Sequence, residues 1–254
     1  MTDITMPTAF PSTEFRAFGQ AASTFFPALL SDDALFDPEK KRTNWEWASQ
    51  AVRYRYRSCA ECQDEFRALV ANNASDAWRA GWLDEELSYK VERCIYLFFM
   101  SALSIFDSFA FCLYFLGHAL QPGAFPDIAN PRKITRSATA RAYGGAFPQA
   151  TITRLLAELP DDPGFATMDA VRNVVGHRLS GRRSITSWGI LHSDDAFIED
   201  WREDTWALPG AAAKLVFDED MLQRYLDDNT RLLAPLASAA REFAQTHQPA
   251  QSTP

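Results

Sequence analysis

Apolar residues recur at helical spacing over most of the chain, and this pattern predicts an all-α protein. Residues 44–72 contain neither Gly nor Pro and place apolar residues three to four positions apart. A second long helix is predicted from about Leu87 to Leu120, and the Pro and Gly that follow end it. Shorter helices are predicted within 130–148 and at 148–158, 165–179 and 218–244.

The segments between these helices carry few signals of β structure. Residues 180–195 predict a loop with mild strand propensity, and the acidic, Trp-bearing segment 194–211 predicts an irregular excursion. The stretch KLVFDED at 214–220 fits either one short strand or a capping segment. We therefore expect a helical bundle with additional helices and little or no β structure.

A chain of 254 residues is long enough for one large domain or two small ones. Weak patterning predicts a poorly ordered N-terminus over 1–20 and a disordered tail over 246–254. Since no internal repeat is visible, we expect 21–245 to form a single helical domain.

The apolar stretch from Ile95 to Leu120 is long enough to span a bilayer. Asp107 lies at its middle, where a carboxylate opposes membrane insertion by roughly 2.5–3.5 kcal/mol. Ser101, Ser104 and Ser108 form a polar stripe on the same helix. Because there is no second apolar span and no signal-peptide pattern, we expect a soluble, cytoplasmic protein without a membrane partner.

The acidic composition limits how this protein binds nucleic acid. Its net charge is −8 and its isoelectric point about 5.1, so such binding requires a local basic patch. The four cysteines include a lone CxxC pair, Cys59 and Cys62, without the further ligands of a zinc site, and they indicate a reducing compartment. No metal or cofactor is predicted, since glycine-rich nucleotide loops and common hydrolase motifs are also missing from the sequence.

The stretch DAVRNVVGHR at 169–178 carries the candidate chemistry. At about 100° per residue, the apolar and polar residues of this helix fall on opposite arcs. The polar arc contains Asp169, Arg172, Asn173, Gly176 and His177. A Gly inside a helix costs about 1 kcal/mol relative to Ala, and close approach of another backbone or of a ligand would compensate.

Two interpretations of the polar arc remain open on residue types alone. Cleavage of a phosphodiester without metal needs a base, a cation that holds the phosphate, and a proton for the leaving oxygen. A neutral His supplies the base and an Arg supplies the bidentate clamp. The same residues also fit a surface Asp169–Arg172 pair beside an exposed Asn173 and a half-buried His177.

This stretch resembles the signature of the HEPN family, the all-α nucleotide-binding domains shared by higher eukaryotes and prokaryotes. That signature is an Arg, four to six residues and a His, and the residue after the Arg is often Asn. RNVVGH matches it with Arg172, Asn173 and, after four intervening residues, His177. A long apolar helix containing Asp107 and a helix ending in LLAEL precede the motif, so the resemblance covers roughly 87–180.

The resemblance implies a homodimer in which two motif helices face each other and form one composite site. It implies metal-independent cleavage of RNA through a 2′,3′-cyclic phosphate, often in toxin–antitoxin or phage-defence systems, where an antitoxin protein is a further partner. His177 would then be the general base or acid, Arg172 would stabilise the charge on phosphorus, and Asn173 would assist. Gly176 would permit close approach across the dimer axis.

Further residues are candidates for binding the substrate. A basic cluster follows the motif and consists of Arg178, Arg182 and Arg183. This cluster either binds along an RNA backbone or is the cationic end of the helix followed by a solvated loop. Asp107 either reaches the cleft and polarises His177 or is satisfied inside the bundle by Ser104 or an Arg.

Three functions therefore remain as hypotheses. The first is a HEPN-type endoribonuclease that uses Arg172 and His177. The second is a non-catalytic HEPN-like module that binds RNA, a nucleotide or a protein partner. The third is a helical protein of another kind in which the motif is coincidental.

Overall fold

The computed structural model describes residues 5–25, 38–72, 85–126, 130–176, 182–191, 197–207 and 214–247. For several residues within these ranges, among them Arg182, the description covers the backbone alone. The described residues contain seven α-helices, whose bounds are α1 Ser12–Ser23, α2 Pro38–Asn72, α3 Glu85–Leu120, α4 Arg136–Ala146, α5 Thr151–Glu158, α6 Pro163–Val175 and α7 Met221–Thr246. The prediction of a predominantly α-helical bundle is confirmed.

A small antiparallel sheet accompanies the helices. Its strands are β1 (Arg182–Leu191), β2 (Phe197–Ala207) and β3 (Lys214–Val216), in the order β1-β2-β3. The expectation of an irregular segment at 194–211 is wrong for the residues that form β2. Charged residues such as Glu203 and Asp204 obscure the alternation that marks a strand, and β2 is fixed by its pairing with β1 and β3.

The chain comprises two compact units. The first consists of Met1–Arg57, Ala102–Phe165 and Asp227–Pro254, and the second of Ser58–Ser101 and Ala166–Leu226. Helices α2, α3, α6 and α7 each contribute residues to both units.

The core of the first unit is largely aromatic. Phe10 packs edge-on against Tyr56 with ring centroids 5.0 Å apart, and Phe18 lies 5.6 Å from Phe109. Phe15 and Phe18 are buried on α1, so residues 12–20 are helical although the sequence predicts poor order there. This burial supplies the hydrophobic contacts that stabilise a short N-terminal helix.

The second unit has its own core, in which helical and sheet residues meet. Phe66 of α2 packs edge-on against Phe217, which follows β3, with centroids 5.6 Å apart. Trp206 of β2 is 1% exposed, and its indole N–H donates to Glu92 Oε1 of α3 at 2.7 Å. A buried indole needs such an acceptor, so Glu92 helps to position the sheet.

Helix α3 is, among the described residues, the one helix long and apolar enough to cross a membrane. Within its most apolar 18-residue window, 61% is buried inside the protein. The central helices of soluble proteins have the same length and composition, so the structure is compatible with a soluble protein.

Candidate functional site

Helix α6 carries the motif, and both its start and its buried face are fixed locally. Asp162 precedes the helix and accepts the backbone N–H of Phe165 at 3.1 Å, as an N-cap residue does. Met168 and Val171 are 0% and 2% exposed, so they bury the apolar arc that the sequence predicts. Asn173 of the polar arc is exposed, whereas Arg172 and Gly176 are only partly exposed.

The polar arc forms a short row of hydrogen bonds along α6. The Asn173 amide donates to Asp169 Oδ2 at 3.2 Å, one helical turn earlier. Arg172 Nη1 donates to Asn173 Oδ1 at 3.5 Å, which is a long contact. The amide of Asn173 therefore links Asp169 to Arg172, and no direct Asp169–Arg172 ion pair is present in the described structure.

The guanidinium of Arg172 is the distinctive group of this row. Its Nε is hidden from solvent and has no hydrogen-bond acceptor among the described residues. Within the same set of residues, no carboxylate lies within ion-pair distance of the guanidinium. A shielded donor without an acceptor is unfavourable and calls for an explanation. A bound anion would satisfy both the charge and the donor.

Gly176 follows the last residue of α6, and the structure provides a reason for its lack of a side chain. An added β-carbon would lie 2.8 Å from the carbonyl oxygen of Arg172 and 3.1 Å from Sδ of Met100 on α3. The Gly176 N–H donates to that same carbonyl at 2.9 Å. The neighbour of Gly176 in the structure is thus the side chain of Met100, and close approach of another backbone, of a ligand or of a second copy at this position stays a prediction.

The structure describes only some of the other residues of the predicted site. His177 and Arg178 lie outside the described residues, so the structure gives no position for the expected general base. Arg182 is the first residue of β1, and its side chain is likewise outside the description. The described part of the motif is therefore the row from Asp169 to Gly176.

Arg183, a predicted substrate-binding residue, is held by the sheet. Its Nε donates to Asp204 Oδ1 at 2.8 Å, and its Nη2 pairs with the other carboxylate oxygen. Its guanidinium carbon lies 4.7 Å from the centre of the Phe217 ring. The side chains of Arg183 and Asp204 are only 9% and 17% exposed, so this pair joins β1 to β2 in a largely buried position.

Asp107, also a predicted substrate-binding residue, lies in the first unit beside arginines. Arg136 of α4 donates to its Oδ1 at 3.2 Å and also lies over the ring of Phe165. Arg55 of α2 donates to the carbonyl of Ser104 at 3.2 Å. Burial lowers the pKa of the Arg55 guanidinium, and the charge of Asp107 opposes that shift. The structure thus shows an ion pair between Asp107 and Arg136 in which the Asp107 side chain is 42% exposed. Polarisation of His177 by Asp107 stays a prediction, because His177 lies outside the described residues.

No pattern in the sequence indicates Met100 or Arg136 as a partner of a site residue. Both contacts depend on the packing of separate helices, which residue spacing within one helix does not reveal. In the part of the chain that the structure describes, no group of three or more His, Cys, Asp or Glu residues is arranged to hold a metal ion.

Comparison of this chain with models of known families, with curated proteins and with solved structures finds no match.

Proposed function

We propose that this protein is a metal-independent endoribonuclease of the HEPN type that cleaves RNA by attack of a 2′-hydroxyl group. In this proposal His177 removes or returns the proton, Arg172 holds the phosphate and stabilises its developing charge, and Asn173 orients the phosphate. The site is composite and is completed by the second copy of the motif in a homodimer. A role as a toxin or phage-defence effector, with an antitoxin protein as regulator, belongs to the same proposal.

The observation that carries the proposal is the guanidinium of Arg172 on the polar arc of α6, which has no carboxylate within ion-pair distance among the described residues. A charge-assisted, two-point contact with phosphate is the strongest interaction open to such a group. Asn173 contacts the Arg172 guanidinium, and its exposed amide lies next to the position in which a phosphate would bind. Electrostatic stabilisation of this kind accounts for a large part of catalysis at phosphorus.

The decisive experiment compares RNA cleavage by the wild-type chain and by His177→Ala and Arg172→Ala in the presence of EDTA. Loss of a general base is expected to lower the rate by about 10²–10⁴-fold, and loss of the phosphate clamp by about 10²–10³-fold. The products should carry a 2′,3′-cyclic phosphate, which is detected by end-group analysis. Cleavage that persists in both variants would exclude this assignment.

Arg154→Ala is the matched control. Arg154 lies on α5 and pairs with Glu158 one turn away, with both side chains more than half exposed, so its loss changes charge with little structural effect. This variant should cleave RNA at the wild-type rate.

The same experiment separates catalysis from simple binding. A non-catalytic module that binds RNA through Arg172 would show no cleavage by any variant, but Arg172→Ala would weaken RNA binding. Light scattering tests the composite site, because a strictly monomeric chain that still cleaves RNA would contradict it.

A further inference from the structure

A second candidate binding site lies in the first unit, between α1 and α2. The N-terminal residues, α1 and the first half of α2 line a groove of about 800 Å³. This volume falls within the range of about 300–1,000 Å³ that small-molecule sites occupy. None of the residues of the motif on α6 contributes to it.

Two arginines that line this groove have no carboxylate partner in the part of the chain that the structure describes. Arg16 of α1 and Arg53 of α2 both line it, and neither makes a hydrogen bond or an ion pair with any described residue. Glu46, the acidic residue of the groove, already interacts with another group. The groove therefore presents two guanidinium groups that are available to an anion.

This groove concentrates positive charge in an acidic chain. The protein has 33 acidic and 25 basic residues, so carboxylates are in excess. Seven other arginines of the described residues form ion pairs with carboxylates, namely Arg67, Arg93, Arg136, Arg154, Arg183, Arg224 and Arg231. Two guanidiniums that make no ion pair with the described residues form a local positive site in this groove, against the net charge of the protein.

The remaining walls indicate what else the ligand contains. Phe15 and Trp45 are 5% and 6% exposed and form an apolar floor. Gln20 and Ser49 add amide and hydroxyl groups that donate or accept hydrogen bonds. An anion with a flat apolar body and polar edges suits this combination, because guanidiniums bind phosphate and aromatic floors bind rings.

We propose that this groove binds a phosphate monoester carried on a ring system, such as a nucleoside 5′-phosphate, with Arg16 and Arg53 holding the phosphate. The ligand is either the free compound or the 5′-phosphorylated end of an RNA strand, which present the same chemistry. This site is separate from the proposed nuclease motif and stands without it.

The test is isothermal titration of the full chain with adenosine 5′-monophosphate at low ionic strength. We expect saturable binding of one ligand per chain, weakened about 10- to 100-fold by Arg16→Gln and by Arg53→Gln, since each loses a charge-assisted hydrogen bond. Arg53→Lys keeps the charge without the planar fork and should lie between wild type and Arg53→Gln. Arg154→Gln, the exposed control, should bind as the wild type does.

Other ligands test the two halves of the proposal. Adenosine and inorganic phosphate should each bind at least 10-fold more weakly than adenosine 5′-monophosphate. A 5′-phosphorylated RNA oligonucleotide that binds more tightly identifies the RNA end as the natural ligand, and equal or weaker binding identifies the free nucleotide. Absence of saturable binding, or binding that neither Arg16→Gln nor Arg53→Gln weakens, would overturn the proposal.

The variant Arg172→Ala distinguishes failure of the groove proposal from failure of the nuclease proposal. In the Arg172→Ala background, Arg16→Gln and Arg53→Gln should weaken binding of adenosine 5′-monophosphate by the same factors as in the wild type. If Arg172→Ala abolishes that binding and the two groove variants do not, the phosphate belongs to the motif on α6 and the groove proposal is wrong.

Discussion

Met100 on α3 occupies the space beside Gly176 that a side chain at this position would need. Its Sδ would lie 3.1 Å from an added β-carbon, and the carbonyl oxygen of Arg172 would lie 2.8 Å away. A side chain at this position would force the Arg172 carbonyl or Met100 to shift, so glycine suits the close packing of this residue against α3.

Gly176→Ala should destabilise the protein by about 1–3 kcal/mol, because the new β-carbon forces a shift in a packed region. Gly144→Ala is the matched control, since Gly144 lies in α4 with open space around its β-position. The control should gain about 0.4–1 kcal/mol from its higher helix propensity. Urea denaturation measures both changes, and equal effects of the two substitutions would contradict the Met100 contact.

Asp162→Ala should lower the free energy of unfolding by about 0.5–2 kcal/mol at pH 7, because it removes the N-cap of α6. Hydrogen bonds from Arg231, at 2.8 and 2.9 Å, and from the Phe165 N–H hold the pKa of Asp162 below its usual value. The half-exposed Arg231 pair itself adds little. Asp161→Ala is the control, since Asp161 is exposed and makes no hydrogen bond or ion pair with the described residues.

The effect of Asp162 should depend on pH in one direction. A carboxylate whose pKa is depressed in the folded state stabilises the protein above its unfolded pKa of about 3.9, and this contribution is lost as the pH falls through the folded value. The gap in stability between wild type and Asp162→Ala should therefore narrow below about pH 4. Denaturation curves measured at neutral and acidic pH provide the comparison, and a constant gap would refute the pKa shift.

The four cysteines should be unreactive in the native protein. All four are buried free thiols, and burial raises their pKa values, that of Cys94 to about 12. Because the thiolate is the reactive form, a thiol reagent at pH 8 should label four groups only after denaturation. Rapid labelling of the native chain would show that a thiol is accessible.

The same thiols predict a loss of stability at high pH. Their pKa values are higher in the folded state than in the unfolded one, so their contribution is complete below the unfolded value of about 8.5 and declines as the pH rises above it. The free energy of unfolding, measured from about pH 7.5 to about pH 10 so that the range includes the unfolded pKa, tests the predicted loss of stability.

Asp204→Ala should cost about 3–5 kcal/mol, because it leaves the Arg183 guanidinium in a largely buried position without its partner. Arg183→Ala should also destabilise the protein, and any effect of Arg183 on RNA binding must be corrected for this loss. Arg154→Ala removes an exposed pair and should change stability by less than about 1 kcal/mol. Thermal melts of the three variants provide the ranking, and an Asp204→Ala melt like that of Arg154→Ala would contradict it.

Local periodicity was sufficient to predict most helices. The spacing of Met168 and Val171 predicted the buried face of α6, and both residues are buried. The long apolar stretch before Pro122 predicted α3, which ends at Leu120. These predictions succeeded because side chains three and four positions apart share one helical face, which is a property of the chain itself.

The sheet and the environment of the site could not be predicted in this way. Strand β2 is rich in charge, and its conformation depends on hydrogen bonds to β1 and β3 rather than on its own pattern. The sequence does not reveal that Arg16 and Arg53 make no ion pair with any described residue, since Glu14 lies only two positions from Arg16. Whether a charge is neutralised depends on residues that only folding brings together.

The sequence by itself determined the helical character of this protein and the order of Asp169, Arg172 and Asn173 along one face of a helix. The tertiary structure decided that Asp204 neutralises Arg183, that Asp107 pairs with Arg136, and that Met100 lies against Gly176. The physical reason is range: helix periodicity acts over a few residues, whereas ion pairing and close packing join residues that are far apart in the chain.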